Sequence, residues 1–256
     1  MDSSRYQPWV HRCAVLTVVV ALLPIGVGAV VTTLDAGMAF PDWPTSDGQN
    51  MLTYPWWQSA GDKFVEHGHR LAGIAIGLAS IGLAAVVWFC ERRRWVRWIG
   101  VGVLLAVIAQ GLLGGLRVRM DERVLALVHG STAALVFSLM AALATLTSRN
   151  WMSTTRRDVE STRLGILKPL AMITPFVVLV QYVLGGLVRH LGTALYEHLG
   201  TAAIVSIFIL AAGIAAQRTG QAWLRRAGWT LIAIVTVQVT LGIAAWITRF
   251  GLPMLG

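Results

Sequence analysis

The chain has 256 residues, of which 56% are hydrophobic and only 13% charged, too apolar for an ordinary soluble domain and suited to a helical protein that crosses a membrane repeatedly. Its formal net charge of +9 does not mark a nucleic-acid partner, because the arginines sit in short clusters between apolar runs, where a positive-inside topology accounts for them. That pattern leaves no room for a separate soluble catalytic domain.

A polar segment from Met1 to Arg12 leads into the first of seven apolar windows, each of about 20 residues and long enough to span a bilayer. They fall at 14–34, 66–90, 96–116, 124–147, 166–187, 196–216 and 227–248. The first is too long for the apolar region of a signal peptide and reads as an uncleaved helix. The connection with Arg92, Arg93, Arg94 and Arg97, the one from Arg149 to Lys168, and the one with Arg218, Arg225 and Arg226 share a side with Arg5 and Arg12. The positive-inside rule makes that side cytoplasmic, N-terminus included, in a multi-pass protein of the cell membrane surrounded by lipid. Cys13 and Cys90 lie on that reducing side, so two buried free thiols are expected rather than a disulfide.

The opposite side carries one long segment, Asp35 to Asp62, whose prolines and glycines exclude a single regular helix. Its tryptophans fit an interfacial belt or a lid over a site at the outer ends of the helices. Directly after it comes Phe64-Val65-Glu66-His67-Gly68-His69-Arg70, at the mouth of the second window. On a helix Glu66, His69 and Arg70 share a face, whereas His67 is turned by about 200° from His69. Ionisable groups are costly in a membrane segment and point to a site in the bundle interior.

An internal repeat organises the rest. Gln110-Gly111-Leu112-Leu113-Gly114-Gly115-Leu116 in the third window returns as Gln181-Tyr182-Val183-Leu184-Gly185-Gly186-Leu187 in the fifth, and more weakly as Gln238-Val239-Thr240-Leu241-Gly242-Ile243 in the seventh. Gly26 and Gly28 of the first window make a faint further copy. Such glycines admit either a neighbouring helix or a flat ligand close to the backbone. Each odd span is followed by an even one with a histidine near its start: His69, His129 and His198. The hairpin begun by Gln238 should carry its histidine at about 255–257 by the same logic. The expected fold is therefore an all-α polytopic membrane bundle of two pseudo-symmetric four-helix halves, 1–147 and 148–256, with an eighth helix and a fourth histidine lying beyond this sequence.

Histidines at equal depth on separate helices suit bis-imidazole ligation of haem iron, His69 pairing with His129 and His198 with the fourth. Arg117, Arg119, Arg123 and Arg189 lie on the same side and could meet haem propionates, or could balance Asp121, Glu122 and Glu197. His190, beside Arg189, is expected in a surface turn, and His11 has no expected role. Only the first half places an acid, Glu66, one turn before an iron ligand. It could move protons or steady a developing cation, or simply pair with Arg70.

At this point the residues resemble a known family, the haem A synthases. Gly37 to Pro44 looks like its G-L-x-C-P-D-W-P loop, Glu66 to Arg70 matches E-x-x-H-R, Gln110 and Gln181 head its Q-x-x-L-G-G segments, and Arg189-His190 matches an R-H after the second. The resemblance implies an oxidoreductase that converts the C8 methyl of haem O to a formyl by successive hydroxylations. It further implies Glu66, His69 and His129 at the substrate haem and His198 on a haem b cofactor; Arg70, Arg117 and Arg189 are the cations expected to bind the cofactor. Candidate partners are a haem O synthase, a terminal oxidase and further copies of the chain. Phe40 and Ser46 stand where family members with a loop cysteine pair have their thiols. The competing readings are a dihaem electron-transfer protein of the b-type cytochrome kind, for which the histidines suffice, and a transporter, which internal duplication alone suggests.

Overall fold

The structure, a computed structural model, describes residues 6–153 and 164–250. It contains seven helices long and apolar enough to cross a membrane: α1 (Pro8–Thr33), α2 (Gly61–Cys90), α3 (Arg94–Met120), α4 (Arg123–Leu146), α5 (Leu167–Leu191), α6 (Leu195–Gln217) and α7 (Ala222–Phe250). Short helices at Trp56–Gln58 and Arg149–Ser153 add a turn each, and the only strand-like pairing among the described residues is one bridge between Ser46 and Gln49. The all-α polytopic expectation holds. The expected site of a fourth histidine, 255–257, lies outside the described residues.

Most helices are longer than their apolar windows, because hydropathy registers only the lipid-compatible part while backbone hydrogen bonding continues into polar turns. Pro8 opens α1, where its fixed φ and missing N–H are no handicap, and the helix runs through His11 and Arg12 before the apolar run begins. With 30 residues, α2 is about 45 Å long, against a hydrocarbon core of about 30 Å. Glu66 to Arg70 thus lie in its second and third turns, not at its mouth. Arg189 and His190 likewise occupy the last turn of α5 rather than a surface turn, and His190 is partly buried. The helix stops only at Gly192, whose φ of 67° provides a left-handed cap.

The chain divides into two compact units, Met1–Thr154 and Thr155–Gly256. In the first, α1 packs on α2 and α4, and α3 packs on the same two, closing a ring of four helices. Its diagonal pairs, α1 with α3 and α2 with α4, make no close backbone contact among the described residues. The core joins Val10, Ala14 and Ala21 of α1, Ile76, Leu83 and Val87 of α2, Val96, Val103 and Val107 of α3, and Met140 and Leu143 of α4. Spacings of three, four and seven put each set on one helical face. A Cβ on Gly100 would come within 2.9 Å of Val87, so α2 and α3 close on the glycine. His11, which the sequence left without a role, ties α1 to α4: its Nδ1 lies 3.1 Å from the Ala144 carbonyl. In the second unit α6 packs on both α5 and α7, and a Cβ on Gly228 would come within 2.6 Å of the Gly213 carbonyl.

The expectation of two buried thiols fails: Cys90 is exposed at the last position of α2, and Cys13 is only partly covered. Next to Cys90, the buried carboxylate of Glu91 accepts from the Arg93 backbone N–H at 2.9 Å and from its guanidinium at 2.9 and 3.0 Å. Burial pushes this carboxyl up, but the Arg93 hydrogen bonds outweigh it and hold the group below its ordinary 4.5. Arg93 therefore locks the short α2–α3 connection as well as contributing to the basic cluster.

Candidate functional site

The segment between α1 and α2 is a packed cover on the first unit. Phe40 and Ser46 are fully buried, Ala36 and Tyr54 nearly so, while Trp57 is 74% exposed. Trp43 lies flat against Gly115 of α3, where no side chain would fit, and Trp56 stacks on Phe64 at 4.8 Å while donating its ring N–H to the Phe64 carbonyl at 2.7 Å. Trp43 and Trp56 are packed into the cover, as the lid reading expects, while Trp57 is left exposed. A tight turn forms at Ser46 to Gln49, with Asp47 and Gly48 both at positive φ. The Asp42 carboxylate accepts from the amides of Asp47 (3.0 Å) and Gly48 (2.8 Å). Burial pushes the Asp42 carboxyl up, and hydrogen bonds from the Thr45 side chain and these two amides outweigh it, holding the group below 3.8.

Glu66 and Arg70 fasten this cover to α2. They form a buried ion pair, Arg70 Nη2 to Glu66 Oε1 at 2.7 Å, as the i, i+4 spacing allows. The other Glu66 oxygen accepts from the Phe40 amide at 3.1 Å. Arg70 also donates to the carbonyls of Thr45 (2.7 Å) and Asp42 (2.9 Å) and lies 5.0 Å over the Phe40 ring. On α3, Arg117 donates to the Gly37 carbonyl at 2.7 Å. Arg70 and Arg117, expected as cofactor-binding cations, thus both hold the cover, whereas Arg189 is exposed at the end of α5.

His67 and His69 face different surroundings, as their spacing requires. His67 belongs to the cover: its Nδ1 lies 3.1 Å from Ser46 Oγ, and its ring packs against Tyr54 at 4.9 Å and Phe40 at 5.8 Å. His69 points inward. It meets His129 across the diagonal of the ring, with centroids 6.4 Å apart and planes at 89°.

Each inward histidine rests on a glycine of the preceding helix. A Cβ on Gly28 of α1 would lie 2.9 Å from His69 Cε1, one on Gly114 of α3 would lie 3.1 Å from His129 Cε1, and one on Gly185 of α5 would lie 3.0 Å from His198 Cε1. In all three the next nearest ring atom is Nδ1, at 3.2, 3.5 and 3.5 Å. The glutamine four residues before the glycine meets the same ring: a terminal atom of the Gln110 amide lies 3.0 Å from His129 Nδ1, and Gln181 Nε2 lies 3.0 Å from His198 Nδ1. Sequence reasoning saw the repeat but missed this use of it. The signal was the constant spacing of four between the glutamine and the first glycine of the Gly-Gly pair, Gln110 to Gly114 and Gln181 to Gly185.

The spacing of His69 and His129 fits two axial ligands on one haem iron. Two metal–nitrogen bonds of about 2 Å, with each ring centre about 1 Å further out, put the centroids of two axial imidazoles about 6 Å apart, close to the 6.4 Å observed. The glycine cradles and the buried, unbonded Nδ1 of His69 match a pair of rings held to present one edge to iron. Among the described residues no three His, Cys, Asp or Glu side chains group into a metal cage of their own.

Fold and site together define the class: a polytopic helical membrane protein with histidines set on glycine cradles inside a four-helix unit. A family model described as COX15-CtaA, cytochrome oxidase assembly protein, matches residues 54–199, and the chain belongs to that family. Among its relatives are the heme A synthase of Cereibacter sphaeroides, 33% identical over 145 residues that cover 48% of this chain and 36% of that protein, and that of Symbiobacterium thermophilum, 31% identical over 185 residues, 69% and 58%. A third, from Methylobacterium radiotolerans, is 28% identical over 217 residues, covering 73% and 56%. The chain spans between about a third and three fifths of the length of these relatives. No solved structure matches it.

Proposed function

We propose that the chain is the oxidoreductase its relatives are named for, a haem A synthase that oxidises the C8 methyl of haem O to a formyl by successive hydroxylations. The observation that carries this reading is the His69–His129 pair, spaced for two axial ligands on one iron and buttressed by glycines on the helices between them. His69 and His129 hold the substrate haem by its iron. Glu66, one turn before His69, is the ionisable group placed to steady positive charge as the methyl is oxidised. The cover fastened by Glu66, Arg70 and Arg117 keeps bulk water from the reacting edge. His198, on its Gly185 cradle, holds a haem b cofactor, which when bound supplies one-electron redox chemistry. Arg189 is exposed where a propionate could reach it. The setting is the cell membrane with the N-terminus cytoplasmic, and a haem O synthase, a terminal oxidase and further copies of the chain are the partners this activity calls for.

A second reading, a haem-bearing electron carrier, is favoured by one observation: both oxygens of Glu66 are already bonded, to Arg70 and to the Phe40 amide. Incubation of the membrane-embedded protein with haem O and an electron acceptor separates the two. The oxidase reading expects hydroxymethyl and then formyl haem by mass spectrometry. Bound haem O recovered unchanged would leave the carrier.

A further inference from the structure

We propose that the turn joining α2 to α3 binds an anionic phospholipid, its phosphate held by Arg92 and Arg94 and its glycerol and upper acyl chains seated on the tryptophans beneath them. The inference does not rest on the haem reading. It concerns the far end of the first unit, which the catalytic account leaves unused.

Residues 91–97 carry four arginines and one carboxylate. Glu91 is buried and is taken up by Arg93, whose Nε and Nη2 meet its two oxygens at 3.0 and 2.9 Å. Arg97 also turns inward, donating its Nε–H to the Glu91 carbonyl. Arg92 and Arg94 are exposed, and neither forms an ion pair or a side-chain hydrogen bond among the described residues. The inward contacts fix the three-residue turn, and the two outward guanidinium groups stand at its middle and at the first residue of α3.

A positive-inside topology accounts for arginines on this side, but not for what lies beneath them. Arg94 and Trp98, four residues apart, share a face of α3. Trp98 meets Trp88 of α2 edge to face, with ring centroids 5.5 Å apart and planes at 83°. The rise of the helix sets this pair about 3–6 Å from the turn, toward the membrane. Both rings stay exposed, and Trp95 adds a third beneath the Arg93 guanidinium at 5.6 Å. Seven residues further along each helix Ile81 and Leu105 are exposed on the same faces, so two apolar stripes lead down from the aromatic pair.

Charge and apolar surface together select the occupant. A free phosphate satisfies the arginines and leaves the rings unused, whereas a zwitterionic lipid covers the rings and brings a further cation to the arginines. An anionic phospholipid satisfies both, each arginine at the membrane surface strengthening its binding by about five-fold.

The test is native mass spectrometry of the full-length protein, stripped of lipid in detergent and supplied with phosphatidylglycerol or phosphatidylcholine. The unmutated protein should retain phosphatidylglycerol in preference, and glycerol phosphate, which has no acyl chains, should not displace it. Arg92→Gln combined with Arg94→Gln should weaken retention by about 25-fold. Lys168→Gln combined with Arg218→Gln removes the same charge from exposed positions in the second unit and should leave retention within about two-fold. Equal losses in the two double variants would reduce the turn to diffuse topological charge and overturn the inference. Equal retention of the two lipids, or displacement by glycerol phosphate, would overturn it as well.

Discussion

At the scale of single residues, the glycine under each histidine and the carboxylate beside one of them make the sharpest predictions. In Gly114→Ala the new Cβ would sit 3.1 Å from His129 Cε1, tighter than ordinary contact, so the ring must move by a few tenths of an ångström. Haem affinity should fall by about 10–100-fold, the usual effect of disturbing a group that orients a metal ligand. Gly111→Ala, one turn away with open space around it, should leave affinity unchanged. A haem titration of the two variants checks this. Glu66→Gln leaves one oxygen where two are used and strands Arg70 in a buried setting. Breaking a buried pair costs about 3–5 kcal/mol, and the Phe40 amide should lose protection from hydrogen exchange. An unchanged melting temperature with full protection at Phe40 would show that the pair does not hold the cover.

At the scale of elements, the cover between α1 and α2 is held by packing and hydrogen bonds, with Phe40 and Ser46 at the positions where the family resemblance expects a cysteine pair. Phe40 and Ser46 stand at those two positions, one fully buried among Tyr54, His67 and Arg70, the other bonded to His67. Phe40→Ala should therefore destabilise the first unit by about 3–5 kcal/mol, as emptying a buried aromatic site does, measured by thermal unfolding in detergent. The cover's turn also depends on acid. The Asp42 carboxyl is held below 3.8 in the folded protein, so its contribution is complete above that value and disappears as pH falls through the lowered one. Exchange protection of the Asp47 and Gly48 amides should be constant from neutral pH down to about 4 and drop below it; protection unchanged in stronger acid would contradict this role of Asp42. Helix positions, the phase of His67 against His69, and the Glu66–Arg70 pairing were all legible from spacing, because a helix converts sequence distance directly into direction. What spacing could not give was the destination of Arg117 and Arg70. Their partners are backbone carbonyls of Gly37, Asp42 and Thr45, and a carbonyl has no sequence signature.

At the scale of the whole molecule, the first unit is a closed ring in which adjacent helices pack and diagonal helices exchange only side chains. That geometry builds the candidate site from a repeat: α1 and α3 provide glycines and α2 and α4 provide the histidines that meet across the diagonal. Topology is testable by a thiol at Gln49, which is exposed at the turn of the cover, in a background without Cys13 and Cys90. A reagent that cannot cross the membrane should label it from outside, and labelling only after permeabilisation would invert the assignment. The most direct measurement is EPR of the haem-loaded protein with His69→Ala and His129→Ala made separately. The account predicts a low-spin bis-imidazole signal in the unmutated first unit that each substitution converts to a high-spin one. A first-unit low-spin signal that survives either substitution, with the second haem removed by His198→Ala, would contradict it.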